Sequence, residues 1–97
     1  MQFITISRRK TEAFPEEAFA PYMAAEAERA RTLYAEGFAR QIWHRADVPG
    51  ACFLAEAENE DAARAALQTL PLAQAGMLEI VAVIPLAPYK GFGPRAR

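Results

Sequence analysis

The chain has 97 residues, of which 24% are charged and 53% hydrophobic, and a formal net charge of −1. That length gives one domain, and eleven basic against twelve acidic residues exclude the basic surface that general nucleic-acid binding needs. No apolar run approaches the ~18 residues of a membrane span, no basic-then-apolar leader opens the chain, and the lone Cys52 forms no internal disulfide, so a cytoplasmic protein is expected.

Residues 2–7, Gln-Phe-Ile-Thr-Ile-Ser, have the β-branched and aromatic content of a first strand. Arg8-Arg9-Lys10 follow as a charged exit, either a solvated strand end or an attractor for an anionic substrate. After a loop over residues 11–15, Pro15 suits a first helical turn and Glu16 and Glu17 its positive end. The helix is predicted to run to about Glu36, with Gly37 as its stop. Residues 38–45 read as a second strand. Asp47-Val48-Pro49-Gly50 has Pro and Gly in the order of a type II turn, and residues 51–57 read as a third strand. Asn59 is the expected N-cap of a second helix, with Glu60 and Asp61 in its first turn and Ala63, Ala66, Leu67 and Leu70 on one face. Pro71 is expected to end it. A loop over 72–76 leads to a last strand over 77–84.

The order β-α-β-β-α-β predicts an α+β fold, the ferredoxin-like plait: a four-stranded antiparallel sheet with both helices on one face. A sheet with one wet face alternates apolar and polar residues. The third strand, Ala51-Cys52-Phe53-Leu54-Ala55, and the last, with Leu78 and Ile80 to Ile84, are instead nearly continuously apolar. Something must cover the face that the helices leave open, and the sheet of a second copy is the simplest cover, giving at least a homodimer. The 22 alanines outnumber the 21 residues of Leu, Ile, Val and Phe, so a partner would also add burial to a thin core. The single domain, residues 1–97, divides into a core plait over 1–86 and a tail over 87–97. Tyr89 and Phe92 of that tail are expected to pack on a neighbouring subunit.

One residue does not fit its surroundings. On a helical wheel at about 100° per residue, Tyr22, Met23, Ala30, Leu33 and Tyr34 gather within about 60° of Phe19. Glu26 falls about 20° from Phe19, inside that apolar stripe. A carboxylate there is costly unless paired, hydrogen-bonded or in a cavity, and burial raises its pKa toward a useful proton-transfer range. It is either half of a buried ion pair, a rim cap or an acid–base group. His44, the only histidine, has Arg45 beside it and Asp47 three residues on. That is a possible His–Asp dyad or a hydrogen-bonded structural residue. Tyr22, Trp43 and Phe53 are candidate pocket walls or plain core, and Cys52 reads as an inert buried thiol. No Cys/His cluster or phosphate-binding glycine loop is present, so neither metal nor cofactor is expected.

The series Glu26, Leu33, Gly37, Trp43, Leu70-Pro71-Leu72 and Pro85-Leu86 resembles the muconolactone isomerase family over roughly residues 20–86. The resemblance implies a plait that pairs into a dimeric α+β barrel and assembles into larger rings such as decamers. It implies a metal-free and cofactor-free proton shift within a small unsaturated lactone carrying a carboxylate, in aromatic-compound catabolism. Glu26 matches that family's candidate general acid–base. Tyr22, Trp43, His44 and Phe53 would line the site, and Arg40 or Arg45 would hold the substrate carboxylate. Residues 11–15 and 73–77, His44 and Asp47 depart from the family pattern. Two other readings stand beside this one: a non-catalytic small-molecule-binding or assembly protein of the same barrel type, and another cofactor-free barrel enzyme using His44 and Asp47.

Overall fold

The computed structural model describes residues 1–91. Strands β1 (Gln2–Arg9), β2 (Ala39–His44), β3 (Ala51–Glu56) and β4 (Leu78–Pro85) form one antiparallel sheet in the order β2-β3-β1-β4. Helices α1 (Glu16–Phe19), α2 (Met23–Ala35), α3 (Glu60–Leu67) and α4 (Pro71–Gln74) supply the other layer. Phe19, Leu33, Leu67 and Leu72 from the helical layer share one buried core with Phe3, Phe53, Ala55 and Val83 from the sheet. This is the ferredoxin-like plait that the element order predicts.

Alternation along β1 separates the two faces of the sheet. Phe3, Thr5 and Ser7 are buried under the helices, while Ile4 and Ile6 belong to the other side. Phe53 and Ala55 lie opposite Thr5 and Phe3; Cys52 and Leu54 lie opposite Ile6 and Ile4. In β4, Val83 lies opposite Thr5, whereas Ala82 and Ile84 lie opposite Ile6 and Ile4. The apolar runs of β3 and β4 thus serve both faces, and the outer one carries no helix among the described residues. Two register shifts interrupt the ladders. Ile6 pairs with Ala82 but Ser7 with Ile80, leaving Val81 extra. Ala39 pairs with Ala55 but Gln41 with Leu54, leaving Arg40 extra.

The long first helix of the sequence reading is broken. Pro21 has no N–H to donate and its ring collides with the carbonyl four residues back, so Ala20–Tyr22 forms a 3-10 turn between α1 and α2. Three residues at ~120° instead of ~100° advance the wheel by roughly 60°. That rotation carries Tyr34 out of the apolar stripe, to 62% exposure, and brings Leu33 into its centre at 2%. Gly37 does stop α2, in the left-handed region at φ 89°.

Asn59 caps α3 as expected, its side-chain oxygen accepting from the Ala62 N–H at 2.8 Å. Pro71 does not end that helix but opens the next. α3 stops at Leu67, Leu70 is held extended at ψ 133°, and Pro71 takes the first turn of α4. Nor is Gly50 the positive-φ residue of a type II turn; among the described residues that conformation belongs to Gly37, Gly76 and Gly91. A Cβ at Gly50 would overlap the Ser7 carbonyl oxygen and lie 2.9 Å from Arg8 Cα and 3.0 Å from the Ser7 carbonyl carbon, so the absence of a side chain lets the loop press on β1. The Arg9 N–H donates to the Pro49 carbonyl at 2.9 Å across this contact. Beyond β4 the Leu86 N–H donates to the Gln2 carbonyl, and Tyr89 is 80% exposed. Phe92, Gly93 and Pro94 lie outside the described residues.

Candidate active site

A cavity of about 400 Å³ opens between α2 and the β2 side of the sheet. Glu26 and Met23 reach it from α2, Ser7 and Arg9 from β1, Ile42 and His44 from β2, Phe53 from β3 and Leu72 from α4. Its lining is mostly apolar, with few polar groups, as in a small-molecule site.

Glu26 sits half-buried in the wall. Its Oε1 accepts one hydrogen bond, from the Leu72 N–H at 3.0 Å. Leu72 is the second residue of α4, whose N-cap Leu70 has no side-chain oxygen to offer, so the Glu26 carboxylate takes an otherwise unfilled N-terminal donor. Among the described residues Glu26 makes no ion pair. Burial pushes its carboxyl pKa above the ordinary value; the Leu72 hydrogen bond and the nearby Arg9 charge pull back less strongly.

Among the described residues Arg9 is the arginine of this cavity. Its guanidinium carbon stands 5.8 Å from the centre of the Phe19 ring, a cation–π contact that holds it on the helix side of the sheet. It also borders a neighbouring cavity of about 490 Å³ that includes Phe14, Phe19 and Met23. Arg8, one residue earlier, points the other way and pairs with Glu12 and Glu79. Sequence reasoning treated the two arginines as one charged exit. Strand alternation separates them: Phe3, Thr5, Ser7 and Arg9 share a face.

Trp43, His44 and Phe53 border the same cavity as Glu26, with Phe53 4% exposed and His44 at the open edge. The other residues singled out from the sequence stand elsewhere. Tyr22, the last residue of the 3-10 turn, packs beside the core. Arg40 is exposed at the β2 bulge. Arg45 grips Asp47 through two bonds, Nη2–Oδ2 at 2.7 Å and Nε–Oδ1 at 3.0 Å, and its Nη1 donates to the Ser7 carbonyl. That pairing lowers the Asp47 pKa to about 2, and the carboxylate faces Arg45 and the Val48 N–H rather than His44. Among the described residues no group of three or more His, Cys, Asp or Glu side chains is placed to hold a metal ion. None of the helices there is long and apolar enough to cross a membrane.

A half-buried carboxyl group with a raised pKa, without an ion-pair partner among the described residues and in a largely apolar cavity that Arg9 borders, can carry a proton between two positions of a bound molecule. No curated protein matches the chain. A family model described as muconolactone delta-isomerase matches residues 1–91, and the chain belongs to that family.

Proposed function

We propose that this member of the muconolactone delta-isomerase family is a cofactor-free isomerase that moves a proton within a small unsaturated lactone carrying a carboxylate. The observation that carries this reading is Glu26, half-buried in the wall of a 400 Å³ cavity and held by a backbone amide instead of a counter-ion. As a carboxylate it accepts the acidic C–H proton of a carbon conjugated with the lactone carbonyl. The electron pair left behind spreads into the conjugated system and onto the carbonyl oxygen. The Glu26 carboxyl group then returns the proton to another carbon of that system, so no proton is gained or lost. One group serves both steps if the proton stays on one face of the ring. The Leu72 N–H fixes the carboxyl group throughout, and Phe53 and Ile42 keep water from the anion.

Glu26→Gln is the test. The amide keeps an oxygen for the Leu72 N–H but cannot take the proton, and a positioned acid–base group contributes roughly 10²–10⁴-fold in rate. Turnover of an accepted unsaturated lactone should fall by about that factor in a variant that stays folded, because no buried counter-ion is stranded. Unimpaired turnover would reassign Glu26 to capping α4 alone.

Assembly belongs to the same proposal. The uncovered face of Ile4, Ile6, Cys52, Leu54, Ala82 and Ile84 is the surface that a second copy would cover, back to back with the catalytic layer.

A further inference from the structure

We propose that Arg9 is the anchor for the carboxylate of the substrate, which makes the cavity selective for a monoanion with its charge at one end. This inference rests on the isomerase reading for the ring that the anion carries, but not for the anion site itself. Glu26 and Arg9 border one cavity and come from opposite layers, α2 and β1. The Phe19 ring holds the guanidinium, the Arg9 N–H bond to Pro49 fixes the backbone that carries it, and no carboxylate among the described residues forms an ion pair with it. The two other arginines near the strand ends are committed: Arg8 to Glu12 and Glu79, Arg45 to Asp47. A planar guanidinium with free donors in a mostly apolar cavity matches a carboxylate bidentately. A bound anion would then stand with its charge at Arg9 and its reacting carbons toward Glu26. Glu26 and the anion repel, so the cavity admits one negative charge at the Arg9 end and disfavours a second at the other.

The probe is γ-carboxy-γ-butyrolactone, a saturated lactone acid with no double bond to shift, compared with its neutral methyl ester. Calorimetry, or fluorescence of the single tryptophan at the cavity edge, measures binding to the full chain. The acid should bind more tightly than the ester, and Arg9→Gln should weaken the acid roughly tenfold or more while leaving the ester nearly unchanged. Arg9→Lys, which keeps the charge without the fork, should recover part of the loss and carries the test if the Gln variant melts early. Glu26→Gln should bind the acid at least as tightly as wild type, because an anionic neighbour is gone. Equal acid binding by wild type and both Arg9 variants, or an ester that binds as well as the acid, would overturn the anchor. The isomerase reading fails by a different readout, undiminished lactone turnover in Glu26→Gln, which leaves the acid-binding comparison intact. If Arg9 instead stabilised the reacting anion, its variants would lose kcat with KM unchanged, which also counts against an anchor.

Discussion

Gly50→Ala tests the contact that seats the β2–β3 loop against β1. The new Cβ would overlap the Ser7 carbonyl oxygen and lie 2.9 Å from Arg8 Cα, where ordinary contact begins at 3.4 Å, so strand and loop must part by more than about half an ångström. Both neighbours are backbone, and neither can swing aside. Besides the Arg45 bond to the Ser7 carbonyl, three hydrogen bonds span the gap: the Arg9 N–H to Pro49 carbonyl at 2.9 Å, the Ala51 N–H to Ser7 Oγ at 3.2 Å, and Ser7 Oγ to the Ala51 carbonyl at 3.4 Å. The last two are already long, and a further half ångström takes all three past good geometry. At about 1 kcal/mol each the loss is roughly 2–3 kcal/mol, or about 10–20 °C in Tm for a chain of this size. Gly37→Ala is the internal contrast. Its Cβ meets nothing within 4 Å, so only the φ of 89° is penalised, at about 1 kcal/mol. Urea denaturation of the two variants gives both numbers. If Gly50→Ala is no worse than Gly37→Ala, the contact argument is wrong. Because Arg9 hangs from Pro49 by its own N–H, Gly50→Ala should also weaken binding of a lactone acid.

The raised pKa of Glu26 has a defined sign in stability. Its protonated form is favoured in the fold, so its contribution is fully present below the ordinary glutamate value of ~4.3 and is lost as pH rises through the raised value. The Tm advantage of Glu26→Gln over wild type should therefore grow from pH 4 to neutrality; a flat difference would show that burial does not dominate, with Arg9 and His44 the other ionisable groups at the cavity. Light scattering at micromolar concentration should give at least twice the 10.7 kDa of one chain, and a folded monomer would defeat the argument from the uncovered sheet face.

What the sequence revealed was local chemistry, and what it concealed was phase. Asn59 followed by Glu60 and Asp61 marks a helix start that needs no tertiary context, and Gly37 after a helical run marks a stop. Glu26 was legible because a carboxylate among Phe19, Met23 and Leu33 is an anomaly on any wheel. The wheel itself was continuous through Pro21, and the missing 3-10 turn misplaced Tyr34 by roughly 60°. Pro71 is compatible with a helix end and a helix start alike; the extended Leu70 decides, and no propensity states that conformation. Gly50 met a turn rule, yet its constraint comes from β1, more than forty residues away in sequence. Arg9 was not singled out for a simpler reason: a run of three basic residues reads as one patch, solvated or anion-attracting, until strand alternation is applied to it.

The extra residue Arg40 decides which side chains the cavity wall contains. Ala39 faces the helical layer opposite Ala55, and strict alternation from there would send Gln41 and Trp43 inward and Ile42 and His44 outward. The bulge inverts that parity, so Ile42 and His44 occupy the helix-side positions opposite Phe53 and Ala51, and Gln41 and Trp43 fall on the outer face opposite Leu54 and Cys52. One inserted residue thus works as a switch between two walls, imidazole and aliphatic on one setting, carboxamide and indole on the other, with the strand order unchanged. Loss of a single residue between Ala39 and Gln41 would exchange the two, handing the imidazole to the outer face of the sheet and the indole to the cavity.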